Sequence, residues 1–236
     1  MIMQLELCVS TPVDVAVAVE AGADRVELCG HWECGGLTPT NASMRASVNM
    51  GIPVRALIRP RAGHFIYNAS ERQLILAEAL DCLAEGAEKI VVGGLTPQGY
   101  IDEELLELLL SRVDAERLVF HRALDMSSDP ISSVELLIQY GINEVLTSGA
   151  APAAGLGLEL ISDLVDLGIH VIAGGGVRPK DVMSLGEAGV GTIHASCRVK
   201  ELPGEVSSEE LFDLSVHSLD FEKASVLSET LKDWNE

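Results

Sequence analysis

The chain alternates along its whole length between short apolar runs of strand length and longer stretches with helical periodicity. A glycine follows six of the helical stretches, at the position just beyond a helix C-terminus where glycine is favoured. These glycines are Gly22, Gly51, Gly86, Gly141, Gly168 and Gly189. Because parallel strands need a long connection, usually a helix, this repeat favours a parallel sheet with helical crossovers.

The repeat predicts eight strands and, counting one from the C-terminal segment, eight helices. Strands are expected at residues 4–9, 25–29, 53–59, 89–92, 118–121, 144–147, 170–173 and 192–195. The first seven helices are expected at residues 12–21, 40–50, 70–85, 102–113, 130–140, 155–167 and 179–188. This tally predicts an α/β protein with a single-domain (β/α)8 TIM barrel. A doubly wound open sheet is the alternative.

The last part of the chain differs in character from the rest. Residues 1–200 are expected to form the barrel, whereas residues 201–236 are acidic and serine-rich, with a helical pattern at 209–214. We expect this segment to supply the eighth helix, a strand-like arm or an oligomer contact.

The charge of the chain excludes two classes of partner. Sixteen basic residues against 36 acidic ones give a net charge of −20, which opposes binding to nucleic acid and to anionic membranes. No apolar run reaches the roughly 18–20 residues of a membrane span, and the N-terminus lacks the pattern of a signal peptide. We therefore expect a cytoplasmic protein. Its five cysteines lack the spacing of a disulfide framework, which favours reduced thiols.

The tripeptide Glu-Leu-Cys occurs twice, at the ends of the first and second predicted strands. Residues two apart in a strand share a face, so Glu6 and Cys8 point the same way, as do Glu27 and Cys29. Two convergent thiols are soft ligands that suit Cu(I), and a nearby carboxylate such as Glu6 stabilises a bound cation. The alternative is that both cysteines are small buried apolar residues.

Two further features indicate an anion site at the same end of the barrel. Arg59 and Arg61 close the third strand, and Gly174, Gly175 and Gly176 follow the seventh. Guanidinium groups and glycine-rich backbone both bind carboxylates and phosphates. The alternative is that the two arginines neutralise buried glutamates within the protein.

Polar residues stand at most of the other strand ends, where barrel active sites lie. We expect Thr147, Ser148, His194 and Ser196 to contribute to anion binding. We assign proton transfer to Glu27, His121 and Asp125 as candidate catalytic residues. The alternative for each histidine is a hydrogen-bonding role within a polar mouth. No spacing typical of a zinc site is present.

Several strings along the chain resemble the copper homeostasis protein CutC family. They are Glu6 to Cys8, Ala21 to Cys29, Gly35 to Pro39, Ile58 to Arg61, Gly99 to Asp102, Phe120 to Asp125 and Leu146 to Gly149. The resemblance implies a (β/α)8 barrel that handles copper in the cytosol and forms homo-oligomers, of which a dimer is favoured. It also implies that Cys8 and Cys29 bind Cu(I).

Two functions are therefore expected from the sequence. The first is a cytosolic protein of copper homeostasis that binds Cu(I) at the paired thiols. The second is a barrel enzyme unrelated to copper that acts on a small anionic substrate, a phosphate or a carboxylate.

Overall fold

The computed structural model describes residues 2–201 and 215–236. Eight parallel strands pair in chain order, and β8 pairs with β1 to close a barrel. They are β1 (Gln4–Val9), β2 (Arg25–Leu28), β3 (Val54–Leu57), β4 (Lys89–Val92), β5 (Leu118–Phe120), β6 (Glu144–Thr147), β7 (His170–Gly174) and β8 (Thr192–Ala195). The predicted TIM barrel is confirmed, and the open-sheet alternative is wrong.

The helices lie between the strands in the predicted order. They are α1 (Pro12–Glu20), α2 (Asn41–Val48), α3 (Ala69–Ala84), α4 (Glu103–Leu110), α5 (Pro130–Gln139), α6 (Leu158–Asp166), α7 (Val182–Glu187) and α8 (Phe221–Asn235). Polar side chains cap several N-termini: Thr11, Asn68 and Asp129 each accept a hydrogen bond from the backbone N–H three residues on. These caps satisfy amide groups that a helix cannot pair internally, so they fix where each helix begins.

The strands divide the apolar residues into two layers. Leu5, Leu7, Val26 and Leu28 point outward and belong to the large core between the barrel and its helices. A smaller cluster fills the barrel interior, and its members are Cys8, Cys29, Leu57, Val91, Val119, Leu146 and Ile172. Because side chains alternate between faces, the two Glu-Leu-Cys strands direct Glu6, Cys8 and Glu27 inward together.

The chain beyond the barrel forms a short sheet and the last helix. Strands β9 (Arg198–Glu201) and β10 (Val216–Leu219) pair antiparallel, and α8 then packs against α1 and α7. Helix α8 thus completes the outer ring between the first and last helices. The predicted helical pattern at 209–214 lies outside the described residues. Over the ranges 2–201 and 215–236, the structure contains no helix with the length and apolar character needed to cross a membrane.

Candidate functional site

A cavity of about 410 Å³ opens at the C-terminal ends of the strands. We call it the mouth cavity. Nine of the residues predicted from the sequence line it, namely Cys8, Glu27, Cys29, Arg59, His121, Gly175, Gly176, His194 and Ser196. They come from six different strands or the loops that follow them, so closure of the barrel is what brings them together.

The two thiols lie side by side in the wall of the mouth cavity. Cys8 is 7% exposed and Cys29 is 1% exposed, and their Sγ atoms are 3.9 Å apart. The thiol–thiol hydrogen bond raises the pKa of Cys8, and burial adds to this increase. The same bond, with help from the Ser10 hydroxyl, lowers the pKa of Cys29. Cys29 is therefore the thiol that ionises first, with Cys8 as the hydrogen-bond donor.

Register explains why the two glutamates of the repeated tripeptide lie in different surroundings. On neighbouring strands Cys8 pairs with Glu27, whereas Glu6 pairs with Arg25. The second motif is thus displaced along the barrel relative to the first. As a result Glu27 lies level with a thiol at the cavity, and Glu6 lies beneath it beside an arginine.

Glu6 is held by three cationic or polar partners below the cavity. Its carboxylate accepts from Arg25 Nε at 2.5 Å and His194 Nδ1 at 2.8 Å, and Arg55 Nη1 lies 3.4 Å away. Burial alone would raise the pKa of Glu6, but His194 and the two arginines outweigh it and hold the pKa well below its ordinary value. Glu6 is therefore ionised and fully engaged, and it does not line the cavity as the predicted metal ligand.

Glu27 and His194 form the polar side of the cavity beside the thiols. Their closest approach is 3.3 Å, between Glu27 Oε2 and His194 Nε2. Burial raises the pKa of Glu27 to about 7. Burial opposes the charge on His194, yet Glu27 and Glu6 outweigh it and raise the pKa of the imidazole. Both shifts therefore favour the protonated form of the group concerned. Ligand atoms of Cys8, Glu27 and His194 all lie within 4.8 Å of one another.

Arg59 and Arg61 do not act as one clamp, because they point to different places. Arg59 donates to the backbone carbonyls of Cys34, Gly36 and Gly63, and its guanidinium lies over the Phe65 ring in the cavity wall. The alternative was that these arginines neutralise Glu6 or Glu27. In the described part of the chain, Arg25 and Arg55 hold Glu6 instead, and Glu27 faces His194.

Arg61 lies outside the mouth cavity. It pairs with Glu71 at 2.5 Å and donates to the carbonyls of His64 and Ile66, so it fixes the loop after β3. The proline between the two arginines turns the chain, and strand parity no longer applies beyond Leu57, where β3 ends. The structure therefore brings Arg59 but not Arg61 to the mouth cavity, and anion binding by these residues stays a prediction.

His121 faces the mouth cavity as a neutral ring. It is 4% exposed, and burial lowers its pKa to about 4. Its Nδ1 accepts from the backbone N–H of Ala123 at 3.1 Å, which places the ring proton on Nε2. Among the described residues this Nε2–H has no hydrogen-bond partner. His121 thus offers a buried, unused donor.

The sequence was compared with family models and with known proteins. The family model described as the CutC family matches residues 3–199. A CutC family protein of Pasteurella multocida is 36% identical over 85% of this chain and 86% of its own length. The chain belongs to the CutC family. A relative in Xanthomonas campestris is 37% identical over 83% of this chain and 84% of its own length.

A solved CutC structure supports the same assignment. It is the structure of a proposed copper homeostasis protein CutC from Streptococcus agalactiae, with a TM-score of 0.77 and 30% identity. It covers 83% of this chain and 99% of the solved chain. Phosphoribosyl anthranilate isomerase of Thermus thermophilus has a TM-score of 0.62 at 15% identity, which shows a shared barrel and no more.

In this CutC chain the other predicted residues hold the loop after β6. The Asp125 carboxylate accepts from the Thr147 hydroxyl, from the Ser148 amide at 3.0 Å and from the Ala150 amide at 3.2 Å. Asp125 also pairs with Arg122 at 2.7 Å. Asp125, Thr147 and Ser148 do not line the mouth cavity, but contacts from Asp125 and Ser148 fix Arg122 there. Their catalytic and anion-binding roles stay predictions.

Gly174 ends β7 without lining the cavity. A Cβ at this position would lie 2.6 Å from Leu146 Cδ1 and 3.2 Å from the His194 side chain, so only glycine lets these residues approach. Gly175 and Gly176 follow with φ of 100° and 65°, and they form the cavity wall as predicted.

Sequence analysis missed Arg198 and Trp32. The Arg198 guanidinium lies 4.5 Å from the centroid of the Trp32 ring and donates to the Cys8 carbonyl and the Ser10 hydroxyl. It thus brings positive charge close to both thiols and helps to lower the pKa of Cys29. Arg198 comes after β8 in a stretch without a motif, so no signal in the sequence pointed to it.

Proposed function

We propose that this CutC family protein binds Cu(I) through Cys8 and Cys29 and serves copper homeostasis in the cytoplasm. The observation that carries the proposal is the 3.9 Å separation of the two Sγ atoms in the wall of the mouth cavity. Thiolates are the ligands that Cu(I) prefers among protein side chains. The relative from Streptococcus agalactiae is described as a proposed copper homeostasis protein, which agrees with this choice.

The spacing of the sulfur atoms favours three ligands over two. With metal–sulfur bonds of about 2.3 Å, sulfurs 3.9 Å apart subtend about 116° at the ion, far from a linear arrangement. A third donor is available on the same wall, because Glu27 and His194 have ligand atoms within 4.8 Å of one another and of Cys8 Sγ. We assign this third position to His194, which loses its Nε2 proton on binding, because an imidazole is a softer donor than a carboxylate.

The state of the thiols agrees with a reducing compartment. All five cysteines lie in the described residues, and all five are free. Because Cys29 ionises more readily than an ordinary thiol, one ligand is prepared for the ion before binding. Thiols kept reduced and a soft monovalent ion both fit the cytoplasm.

The proposal is tested by titrating Cu(I) against a competing chelator under reducing, oxygen-free conditions. The Cys8→Ser/Cys29→Ser variant should lose more than the roughly 100-fold in affinity that removal of an outer hydrogen-bond partner can cost. The matched control is Cys34→Ser, because Cys34 is exposed and does not line the mouth cavity. Equal affinity in the wild type and the double variant would show that copper binds elsewhere or not at all.

His194 has its own test in the same titration. His194→Ala should weaken Cu(I) binding less than loss of the thiols does, because two sulfur ligands remain. X-ray absorption of the loaded protein should show a nitrogen neighbour in the wild type and not in His194→Ala. Two-coordinate copper in both proteins would refute the third ligand while leaving the thiol site intact.

A further inference from the structure

The wall of the mouth cavity opposite the thiols has features that the copper proposal does not use. His121 lines the cavity, and its buried Nε2–H has no hydrogen-bond partner in the described part of the chain. A buried donor left without an acceptor destabilises the folded state, and a bound acceptor would remove that destabilisation. A cavity wall that keeps such a group unpaired is built to receive an acceptor atom.

Positive charge stands beside this donor. Arg122 lines the cavity, and its guanidinium is fixed by bonds to Asp125 at 2.7 Å and to the Ser148 hydroxyl at 2.9 Å. The guanidinium lies against Gly175, where a Cβ would come within 3.0 Å of Arg122 Cζ. Arg59, the second arginine of this wall, has a buried Nε without a hydrogen-bond partner among the described residues.

We propose that this wall is a binding site for a small oxyanion, a carboxylate or phosphate group, held by His121 Nε2–H, Arg122 and Arg59. We call it the oxyanion wall. The acceptor must be anionic or strongly polar, because two fixed guanidinium groups flank a neutral donor. A cavity of about 410 Å³ is large enough for a molecule of a few carbon atoms carrying that group.

The neutral state of His121 makes it selective for acceptors. Nδ1 accepts from the Ala123 amide, so the proton of the neutral ring lies on Nε2 and this nitrogen only donates. Burial holds the pKa of this imidazole near 4, and the donor therefore stays available at all physiological pH values. A cationic or donor-only ligand gains nothing from this wall.

The oxyanion wall is independent of copper, so it is tested on the metal-free full chain. The melting temperature is measured with inorganic phosphate, with malonate and with chloride at matched ionic strength. A ligand that binds only the folded state raises the melting temperature in proportion to RT ln(1 + [L]/Kd). Phosphate or malonate should stabilise the protein beyond chloride, and the stronger of the two identifies the preferred oxyanion.

Three variants locate the site. His121→Phe keeps a ring against Phe65 but removes the Nε2–H donor. Arg122→Gln removes one positive charge. Each variant should weaken oxyanion binding by about tenfold or more. Arg45→Gln is the control, because Arg45 pairs with Glu85 on the outer surface and should leave binding unchanged. In nitrogen-15 spectra of the wild type, the His121 Nε2–H signal should shift when the oxyanion is added.

Two results would overturn the assignment. One is a wild type that responds to phosphate and malonate no more than to chloride. The other is an oxyanion response that survives unchanged in both His121→Phe and Arg122→Gln. If His121→Phe does not fold, the Arg122→Gln variant and the Nε2–H signal of the wild type still decide the question. Cu(I) binding would be untouched by either result, because no thiol takes part.

Discussion

Two levels of the barrel interior use the same residue types for different purposes. We call the level of Glu6, Arg25 and Arg55 the floor, and the level of Glu27 and the thiols the mouth. Glu6 on the floor meets Arg25, Arg55 and His194, and its pKa is held well below the ordinary value. Glu27 at the mouth lies 3.3 Å from the other ring nitrogen of the same His194, and burial raises the pKa of Glu27 to about 7. The two glutamates belong to the same repeated tripeptide, so the difference comes from what register and barrel closure place beside them.

The contrast separates charges that hold the fold from groups that are free to bind. Each charge on the floor lies within 4 Å of an opposite charge, as Arg55 does with Glu6 and Glu144. The mouth instead contains two close thiols and the His121 Nε2–H, which has no hydrogen-bond partner among the described residues. Buried groups normally find partners during folding, so those left without one in a cavity are the best candidates for binding.

Glu6→Gln should give the largest effect, because it breaks the floor. Removing one member of a buried ion network leaves Arg25 and Arg55 poorly compensated, and we expect a loss of about 3–5 kcal/mol in the free energy of unfolding. Urea denaturation at pH 7 measures it, with Glu85→Gln in the exposed Arg45 pair as a control that should change little.

The pH dependence of this loss has a definite sign. The folded pKa of Glu6 lies below its ordinary value of 4.5, so its stabilisation is present above that value and is lost as the pH falls toward the lowered folded pKa. The difference between Glu6→Gln and the wild type should therefore shrink in acid. A constant difference from pH 7 to pH 3 would contradict the ion network as its source.

Glu27→Gln should have the opposite pH dependence. The pKa of Glu27 rises from 4.5 to about 7 on folding, so its contribution is present below 4.5 and is lost as the pH rises through 7. At 1.36 kcal/mol for each unit, about 3 kcal/mol of stability disappears over this range in the wild type. The raised pKa of His194 acts in the same direction.

The check is to compare the unfolding free energies of the wild type and Glu27→Gln at pH 5 and pH 8. The variant should gain stability relative to the wild type at pH 8, because it has no carboxylate to ionise in the buried mouth. Parallel curves for the two proteins would mean that Glu27 is as well solvated as an ordinary surface glutamate, and the contrast between floor and mouth would fail.

Local patterns made the fold predictable from the sequence. Strand period, helical period and the glycines after helices are properties of neighbouring residues, and the predicted strands at 4–9, 89–92 and 192–195 coincide with β1, β4 and β8. Predicted helix boundaries were wrong where tertiary contacts determine them. The helix predicted from residue 155 begins at Leu158, because a single turn at Ala154–Leu156 precedes it and Gly157 packs against Gly149.

Strand parity, the alternation of side chains between the two faces of a strand, predicted only part of the site. Parity directs Glu6, Cys8 and Glu27 inward, and all three are buried inside the barrel. It could not show that Arg25 and Arg55 would be the partners of Glu6, because that pairing depends on the offset between neighbouring strands. It also could not place Arg61 or Arg198, since both lie beyond the ends of the barrel strands.

Substitution of Arg59 or Arg61 should give the smallest losses of unfolding free energy. The two positions are separated by one proline, so they allow a direct comparison of neighbouring arginines. Arg59 is 9% exposed and donates to four backbone carbonyls in two loops, so Arg59→Ala should cost about 2 kcal/mol of unfolding free energy. Arg61 makes a half-exposed pair with Glu71, and Arg61→Ala should cost much less, because such pairs are screened by solvent.

The same two variants separate structure from binding at the mouth. Arg59→Ala should also weaken oxyanion binding, since Arg59 lines the mouth cavity, whereas Arg61→Ala should leave it close to that of the wild type. Denaturation and phosphate titration of both proteins check this. If Arg61→Ala were the more damaging to phosphate binding, the anion site would lie on the loop after β3, and the division between a paired floor and a receptive mouth would have to be redrawn there.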